Sequence, residues 1–287
     1  MEITRLTIAG KGYPKKLALL PSPPQQLFYI GVPPEELLSQ PAVAVVGSRS
    51  VSAYGRLVTT KLAGELAAYG ITIVSGLALG VDGLAHQAAL EKGGKTIAVL
   101  PCGLDEVYPR SHHSLAQRIL QQGGTLISEY PVGTEPRKEN FIARNRIVSG
   151  LSEAILITEA AEKSGTLHTA NFALDQGREV MAVPGNITSL LSAGTNNLIK
   201  TGATPVTKVG DILHVLGLTE PERKQLVLIG ATPEEHILLQ LLAAGTTESD
   251  LLLSSSKLRP AQFNQTLTML ELTGKIKPAG NGNWSLA

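Results

Sequence analysis

Short apolar runs alternate with longer amphipathic stretches through the middle of the chain. The runs AVAVVG (42–47), ITIVSG (71–76), TIAVLP (96–101), TLISEY (125–130), AILITEA (154–160), EVMAVPG (179–185) and TPVTK (204–208) predict strands. The stretches 54–70, 81–94, 114–124 and 165–177 have helical spacing and end on glycine. Apolar strands separated by helices indicate a parallel sheet covered on both faces. We therefore expect an α/β, extended Rossmann-like, doubly wound and mostly parallel fold over residues 42–217.

The two ends of the chain have other patterns. Residues 1–41 include the Pro-rich stretch LLPSPPQQLFYIGVPPEELLSQP and predict an extended N-terminal lead-in with little core of its own. Residues 218–231 predict a linker. Residues 232–287 contain helix-like stretches followed by β segments around a Gly/Asn turn, which predicts a small C-terminal winged-helix domain. An ordinary helical tail is the alternative.

Composition limits the possible partners. The net charge is +1, from 25 Lys+Arg and 24 Asp+Glu, so an anion site must come from local clustering. Aromatic residues make up 4% of the chain, too few for a long groove that stacks bases. The single cysteine, Cys102, excludes an internal disulfide framework and fits a reducing compartment. No signal-peptide pattern and no apolar run of about 20 residues is present, so we expect a cytoplasmic protein without a membrane partner.

Small polar and basic residues follow several predicted strands. Ligands of open α/β sheets bind outside the carboxyl ends of the strands, where helix N-termini also present free N–H groups. The candidates at these ends are Gly47, Ser48, Arg49, Ser75, Gly76, Arg110, Ser164, Gly165 and Thr166. Their hydroxyls, backbone donors and guanidiniums predict a site for phosphate groups.

The densest basic stretch of the chain is RKENFIARNR, residues 137–146. It holds Arg137, Lys138, Arg144 and Arg146, with Phe141 among them. Two guanidiniums in a partly apolar segment are costly unless anionic groups meet them. The stretch therefore predicts contacts of two kinds, with a ligand and with the protein interior.

A helical arrangement separates the two central arginines. At about 100° per residue, Phe141, Arg144 and Asn145 share one face, and Arg146 lies roughly 160° from Arg144. We expect Arg144 or Asn145 to join Phe141 at the ligand, and the other arginine to be buried against a carboxylate. The candidate carboxylates are Glu129 and Glu159.

Catalytic motifs are not evident in the sequence. The turn after the first of the runs is neither G-x-G-x-x-G nor a Walker A motif, and no nucleophile–His–acid set or metal-ligand spacing stands out. The residues predict binding of a phosphate-rich ligand, with no catalysis, no cofactor and no metal.

A family resemblance rests on several of these segments together. GSR (47–49), SGLALGVDGLAH (75–86), PCGLDEVYP (101–109), ARNRIVSGLS (143–152), EAAEKSGTLHTA (159–170) and AVPG (182–185) resemble the bacterial DNA-processing protein A family, DprA or Smf. The resemblance runs from about residue 13 to about residue 215. It implies a Rossmann-like, non-enzymatic homodimer that binds single-stranded DNA. It also implies protection of incoming DNA and help in loading the recombinase RecA during natural transformation.

The same resemblance implies roles for individual residues. It places the DNA-binding arginine of the family at Arg49, a basic residue at Arg110, a lysine at Lys138 and a base-contacting phenylalanine at Phe141. It places dimerisation roughly within residues 175–215.

Two other interpretations are weighed against this one. KSGTLHT (163–169) is similar to the motif of lysine-decarboxylase-like nucleotide phosphoribohydrolases, but Thr169 stands where their acid/base glutamate would be. The C-terminal domain could instead read duplex DNA as in a transcription factor. Its third helix-like stretch carries Arg259 but little other positive charge. A role in binding another protein therefore fits this domain at least as well as duplex binding does.

Overall fold

The protein is described by a computed structural model that covers residues 2–219, 232–243, 245–280 and 282–286. It divides into two compact units, residues 1–219 and 220–287. Residues 220–231, which make up most of the predicted linker, lie outside the described ranges. Among the described residues, no helix combines the length and apolar character needed to span a bilayer.

The larger unit contains a nine-stranded sheet in the order β1-β2-β6-β5-β4-β3-β7-β8-β9. The strands are β1 Thr4–Thr7, β2 Gln26–Gly31, β3 Ala42–Val46, β4 Thr72–Ser75, β5 Thr96–Leu100, β6 Thr125–Ser128, β7 Ala154–Ile157, β8 Glu179–Ala182 and β9 Thr204–Pro205. Pairings from β6 through β9 are all parallel, whereas β1 with β2 and β2 with β6 are antiparallel. The expected mostly parallel α/β fold is confirmed.

Helices cover the sheet. They are α1 Lys15–Ala18, α2 Pro34–Leu37, α3 Ala53–Ala68, α4 Val81–Glu91, α5 His113–Gln121, α6 Lys138–Gly150, α7 Thr166–Asp175, α8 Ala193–Lys200 and α9 Val209–Val215. Every residue of β3, β4, β5, β6 and β7 is buried, as expected for strands covered on both faces. Short 3-10 turns precede α5 and α8.

The sheet changes direction at β3. The chain runs from β3 outward through β4 to β5 and β6, and then returns to β7 on the other side of β3. Such a reversal separates the loops that follow the two central strands and opens a crevice at their carboxyl ends. This edge of the sheet is therefore where a ligand site is expected.

Residues 1–41 differ from the expected lead-in. β2 pairs with β6, with Phe28 opposite Ser128, so this segment extends the sheet. Leu17, Leu27 and Leu37 are buried in the core beneath β3 and β5. The prolines turn the chain between short elements, and one of them, Pro24, accepts a hydrogen bond from the Tyr13 hydroxyl at 2.5 Å. The segment is therefore part of the larger unit.

The smaller unit is a winged-helix domain, as expected. Its elements are α10 Pro233–Ala243, α11 Ser249–Ser256, α12 Pro260–Leu272, β10 Ile276–Gly280 and β11 Asn283–Leu286. β10 and β11 form an antiparallel hairpin with Ile276 opposite Leu286. Leu238, Phe263 and Ile276 lie in its own apolar core.

Leu27→Ala tests whether the N-terminal segment belongs to the core. Leu27 is fully buried in β2, so its truncation should lower the free energy of unfolding by about 2–5 kcal/mol. Leu19→Ala is the matched control, because Leu19 is 85% exposed and should change stability by less than about 0.5 kcal/mol. Urea denaturation measures both. Equal, small effects would contradict the position of β2.

Candidate functional site

An exposed cation and two aromatic rings meet at the carboxyl edge of the sheet. Arg49 follows β3, Tyr108 lies in the loop after β5, and Phe141 lies on α6. The guanidinium carbon of Arg49 is 5.2 Å from the centroid of the Phe141 ring. The ring of Tyr108 packs edge-on against Phe141, with centroids 5.3 Å apart and planes at 73°. We call these residues the Arg49–Phe141–Tyr108 cluster.

The cluster combines charge with flat apolar surface. The cation–π contact orients Arg49 while leaving its side chain exposed, so its N–H groups can meet a phosphate. Phe141 is half-buried and Tyr108 is 40% exposed, so ring surface is available to a base. Sequence reasoning missed Tyr108. The available signal was an aromatic residue after a strand in a chain with few aromatic residues.

Further basic side chains lie on the same elements. Lys138 is exposed and begins α6, one helical turn before Phe141. Arg110 is exposed in the turn before α5, and its Nε donates to Glu106 Oε1 at 2.9 Å. Exposed pairs of this kind contribute little to stability, so a phosphate can replace the carboxylate at small cost. Both residues can therefore extend the positive surface.

The loop after β3 is built to present Arg49. Ser48 is buried, its N–H donates to the Glu159 carbonyl at 2.8 Å, and its hydroxyl donates to the Ser50 carbonyl at 2.8 Å. A Cβ at Gly47 would lie 2.6 Å from a methyl of Val81, so the backbone approaches α4 too closely for a side chain. Gly47 and Ser48 shape the loop, and Arg49 faces solvent.

Ser75 and Gly76 do not face the crevice, which corrects their predicted role as ligand contacts. Both are buried. The Ser75 hydroxyl donates to the Val45 carbonyl at 2.7 Å, and the Gly76 N–H donates to Asp82 Oδ2 at 3.1 Å. The turn after β4 folds inward against α6, so its polar groups satisfy one another.

Arg144 was one of two candidates, with Asn145, for a place beside Phe141 at the ligand, and it lies inside the protein. The side chain is 3% exposed. Its Nη1 donates to the carbonyls of Gly76 and Val99, and its Nε donates to Asn145 Oδ1 at 3.2 Å. Burial lowers the pKa of the Arg144 guanidinium, and the negative charge of Asp82 opposes that shift. Asn145 is half-buried next to it.

Arg146 is the arginine that pairs with a carboxylate, and its partner is Glu129, one of the two expected candidates. Its Nη2 and Nη1 donate to Glu129 Oε1 and Oε2 at 2.6 and 3.0 Å. Its Nε also donates to the Ser22 carbonyl at 3.1 Å, which fastens the N-terminal segment to α6. The two arginines therefore lie in different environments, as expected from their positions on the helix.

The other candidate carboxylate, Glu159, caps a helix. Glu159 is buried, and its carboxylate accepts hydrogen bonds from the N–H and hydroxyl of Ser52 at the start of α3. It also borders a cavity of about 430 Å³ next to Tyr54 and Asn186. The described lining of that cavity carries this carboxylate and no basic side chain. The cavity is therefore less suited to a phosphate than the surface around Arg49.

The turn that begins α7 joins the loops on the two sides of the crevice. The Thr166 hydroxyl donates to the Gly47 carbonyl at 2.9 Å, and the Ser164 hydroxyl donates to Thr166 Oγ1 at 3.1 Å. Thr166 is buried, so its predicted ligand contact is corrected to a structural one. Gly165 is exposed and Ser164 is half-buried. Their contacts with a ligand stay predictions.

Several titratable groups near the site are held in uncharged interior positions. Burial raises the pKa of Cys102 to about 11, and it lowers the pKa of His86 to about 3. His86 Nδ1 lies 2.6 Å from Thr96 Oγ1, inside the protein. Thr169, which stands where a phosphoribohydrolase would have glutamate, is buried. The hydrolase interpretation is not favoured.

Glu129→Gln tests the structural role of the Arg146 pair. The side chains are 16% and 21% exposed, so losing the carboxylate leaves a poorly solvated guanidinium and should cost about 2 kcal/mol of stability. Glu106→Gln, which breaks the exposed pair with Arg110, is the control and should cost about 0–1 kcal/mol. Guanidinium chloride denaturation compares them. Equal losses would show that the Arg146 pair is no more important than a surface pair.

Comparisons with known proteins agree with this geometry. The family model of DNA recombination-mediator protein A matches residues 4–217, and the DprA winged helix domain matches residues 222–282. Protein Smf of Escherichia coli (strain K12) is 48% identical over 206 residues, which are 71% of this chain and 54% of that relative. The chain thus spans about half the length of that relative. DNA processing protein DprA of Bacillus subtilis (strain 168) is 41% identical over 222 residues, 77% of this chain and 72% of the relative.

Solved structures give the same result. DNA processing protein A from Streptococcus pneumoniae has a TM-score of 0.69 at 41% identity, covering 75% of this chain and 74% of that one. DNA processing protein A from Helicobacter pylori, described by its single-stranded DNA binding mode, has a TM-score of 0.67 at 36% identity, covering 75% and 96%. From the matched sequence, the shared fold and the winged helix together, the chain belongs to the DNA recombination-mediator protein A family, DprA.

Proposed function

We propose that this protein binds single-stranded DNA through the Arg49–Phe141–Tyr108 cluster, with Lys138 and Arg110 as further phosphate contacts. The observation that carries the proposal is the exposed Arg49 guanidinium held 5.2 Å from the Phe141 ring at the carboxyl edge of the sheet. The similar Helicobacter pylori protein, described by its single-stranded DNA binding mode, supports it. In this proposal the protein protects incoming DNA and helps load RecA during natural transformation, in the cytoplasm.

The chemistry of the cluster favours single strands over duplexes. Phosphates can meet the guanidinium of Arg49 and the ammonium of Lys138, which makes affinity salt-dependent. An unstacked base can lie on Phe141 or Tyr108, a contact worth about 1–3 kcal/mol. In a duplex the faces of the bases are stacked and cannot reach these rings. Few rings to stack on imply little sequence preference.

We also propose that the protein acts by binding rather than by catalysis. The exposed groups of the cluster are a guanidinium and two aromatic rings. The acid/base candidates beneath them, Asp82 and His86, are buried, and burial raises the pKa of Asp82 and lowers the pKa of His86. Burial and fixed hydrogen bonds favour structural roles for both.

A homodimer through the late part of the larger unit is the proposed assembly. Within residues 175–215, Ile187 is 93% exposed and Leu190 is 84% exposed in the segment between β8 and α8. Large apolar side chains grouped at a surface favour a protein contact. We propose that the dimer is the form that meets RecA.

The winged-helix domain is proposed as a protein-interaction domain. On α12, Met269 is 46% exposed and Leu272 is 77% exposed, whereas Arg259 lies at the N-terminal end. Apolar groups on the helix that would enter a DNA groove suit a protein partner better than phosphates.

Arg49→Ala tests the proposed function. Loss of one phosphate contact should weaken binding of a fluorescent oligothymidine by about tenfold and reduce the slope of log affinity against log salt by about 0.7. Fluorescence anisotropy at several salt concentrations measures the affinity. Arg5→Ala is the control, since Arg5 is exposed on β1 at the far edge of the sheet. Unchanged affinity and slope in Arg49→Ala would reject the assignment.

Leu190→Glu tests the proposed dimer. A carboxylate at an apolar interface is costly to desolvate, so the variant should sediment as a monomer at micromolar concentration while the native chain sediments as a dimer. Leu19→Glu, at another exposed leucine, should remain dimeric. A monomeric native chain, or a dimeric Leu190→Glu variant, would contradict this interface.

A further inference from the structure

We propose that Arg144 and Asp82 are positioning residues of the DNA interface: they contact no DNA, but they hold α6 against the turn after β4 and so fix Phe141 relative to Arg49. The inference rests on the proposed single-stranded DNA binding. It gives a role to two buried charged groups that the surface contacts do not use.

The link between the two charges runs through one peptide group. Gly76 donates its N–H to Asp82 Oδ2 at 3.1 Å, and its carbonyl accepts from Arg144 Nη1. Asp82 also accepts the N–H of Ala78 at 3.4 Å, and Arg144 reaches the Val99 carbonyl at the end of β5. The ends of β4 and β5 are thereby joined to α6, the helix that carries Lys138 and Phe141.

The contact at Gly76 leaves no space for another residue. A Cβ there would lie 2.2 Å from Arg144 Nη1 and 2.4 Å from the guanidinium carbon. The guanidinium therefore lies directly on the backbone of the turn. Such contact fixes the distance between α6 and the sheet more narrowly than apolar packing does, because the hydrogen bonds are directional.

The far end of the same turn supports Arg49. Gly80 has φ +80°, and a Cβ there would lie 2.2 Å from the Ser48 carbonyl oxygen and 2.7 Å from the Arg49 carbonyl oxygen. The Val81 N–H donates to the Ser48 carbonyl at 3.1 Å. The turn thus contacts α6 at Gly76 and the Arg49 loop at Gly80. A shift of one end relative to the other would change the spacing of the cation and the ring.

The middle of the turn contacts the segment after β5, which carries Tyr108 and Arg110. Leu77 is fully buried with φ 56°, a region that non-glycine residues rarely occupy. Its carbonyl accepts a hydrogen bond from His112 Nδ1 at 2.9 Å, next to Arg110. Strained backbone of this kind persists when its surroundings over-determine it. Here the surroundings are the hydrogen bonds of Asp82, Arg144 and His112.

Arg144→Met is the primary test. Fluorescence anisotropy with labelled oligothymidine at several salt concentrations measures its affinity and salt slope. The variant keeps an unbranched apolar side chain in place of the arginine stem but loses the guanidinium and its fork of donors. We expect affinity to fall by about tenfold, the effect of a loosened binding site. The salt slope should not change, because no phosphate contact is removed. A direct phosphate contact would instead lower the slope by about 0.7.

A double-mutant cycle separates positioning from general destabilisation. In a Phe141→Ala background, Arg144→Met should lower the affinity for oligothymidine by less than about threefold, because the ring that Arg144 positions is already absent. Leu66→Ala, at a fully buried position near the end of α3, is the destabilised control and should retain native affinity. Arg144→Lys keeps the positive charge but lacks the forked donors of the guanidinium, and it replaces Arg144→Met if that variant does not fold. Its affinity should fall several-fold, with an unchanged slope of log affinity against log salt.

Each other result overturns the proposal. The positioning role is contradicted if folded Arg144→Met or Arg144→Lys binds with native affinity, or if the salt slope falls. It is also contradicted if Arg144→Met lowers affinity equally with and without Phe141. If Arg49→Ala weakens binding and the Arg144 variants do not, this inference fails while the DNA-binding function stands. If the native chain does not bind single-stranded DNA, both fail.

Discussion

A guanidinium buried in a protein needs hydrogen-bond acceptors around it. In this fold the buried guanidinium of Arg144 needs them at the ends of the central strands. Its charge is compensated by two backbone carbonyls, at the ends of β4 and β5, and by the nearby carboxylate of Asp82. Those carbonyls are available only if the turn after β4 folds inward, and the close approach is possible only because residue 76 is glycine. The position of α6, and with it the position of Phe141, depends on this arrangement.

The site therefore has an outer and an inner part with different tasks. Arg49, Lys138 and the rings of Phe141 and Tyr108 provide exposed charge and stacking surface. Beneath them, buried polar groups satisfy one another and hold the loops in place. An outer surface that relies on a few groups needs this support, because a small displacement would separate the cation from the ring.

The sequence predicted the strands of the sheet better than it predicted which residues at their ends are exposed. The apolar runs placed the strands of the parallel sheet, and helical spacing correctly separated Arg144 from Arg146. A carboxylate partner was expected for one of the two arginines, and Arg146 has it. Nearness to a strand end does not tell whether a residue faces outward, so Ser75, Gly76 and Thr166 were assigned to the ligand although they are buried. Arg144 was a candidate because it shares a helix face with Phe141, and it is buried as well. The N-terminal segment was underestimated for a related reason. Pairing of β2 with β6 joins residues far apart in the chain, which local pattern cannot show.

The most direct test is a crystal structure of this chain with a short oligothymidine. The account predicts phosphates within hydrogen-bond distance of Arg49 and Lys138, a base against Phe141 or Tyr108, and Arg144 still bound to the carbonyls of Gly76 and Val99. A nucleotide bonded to Arg144, or DNA bound away from the Arg49–Phe141–Tyr108 cluster, would contradict it.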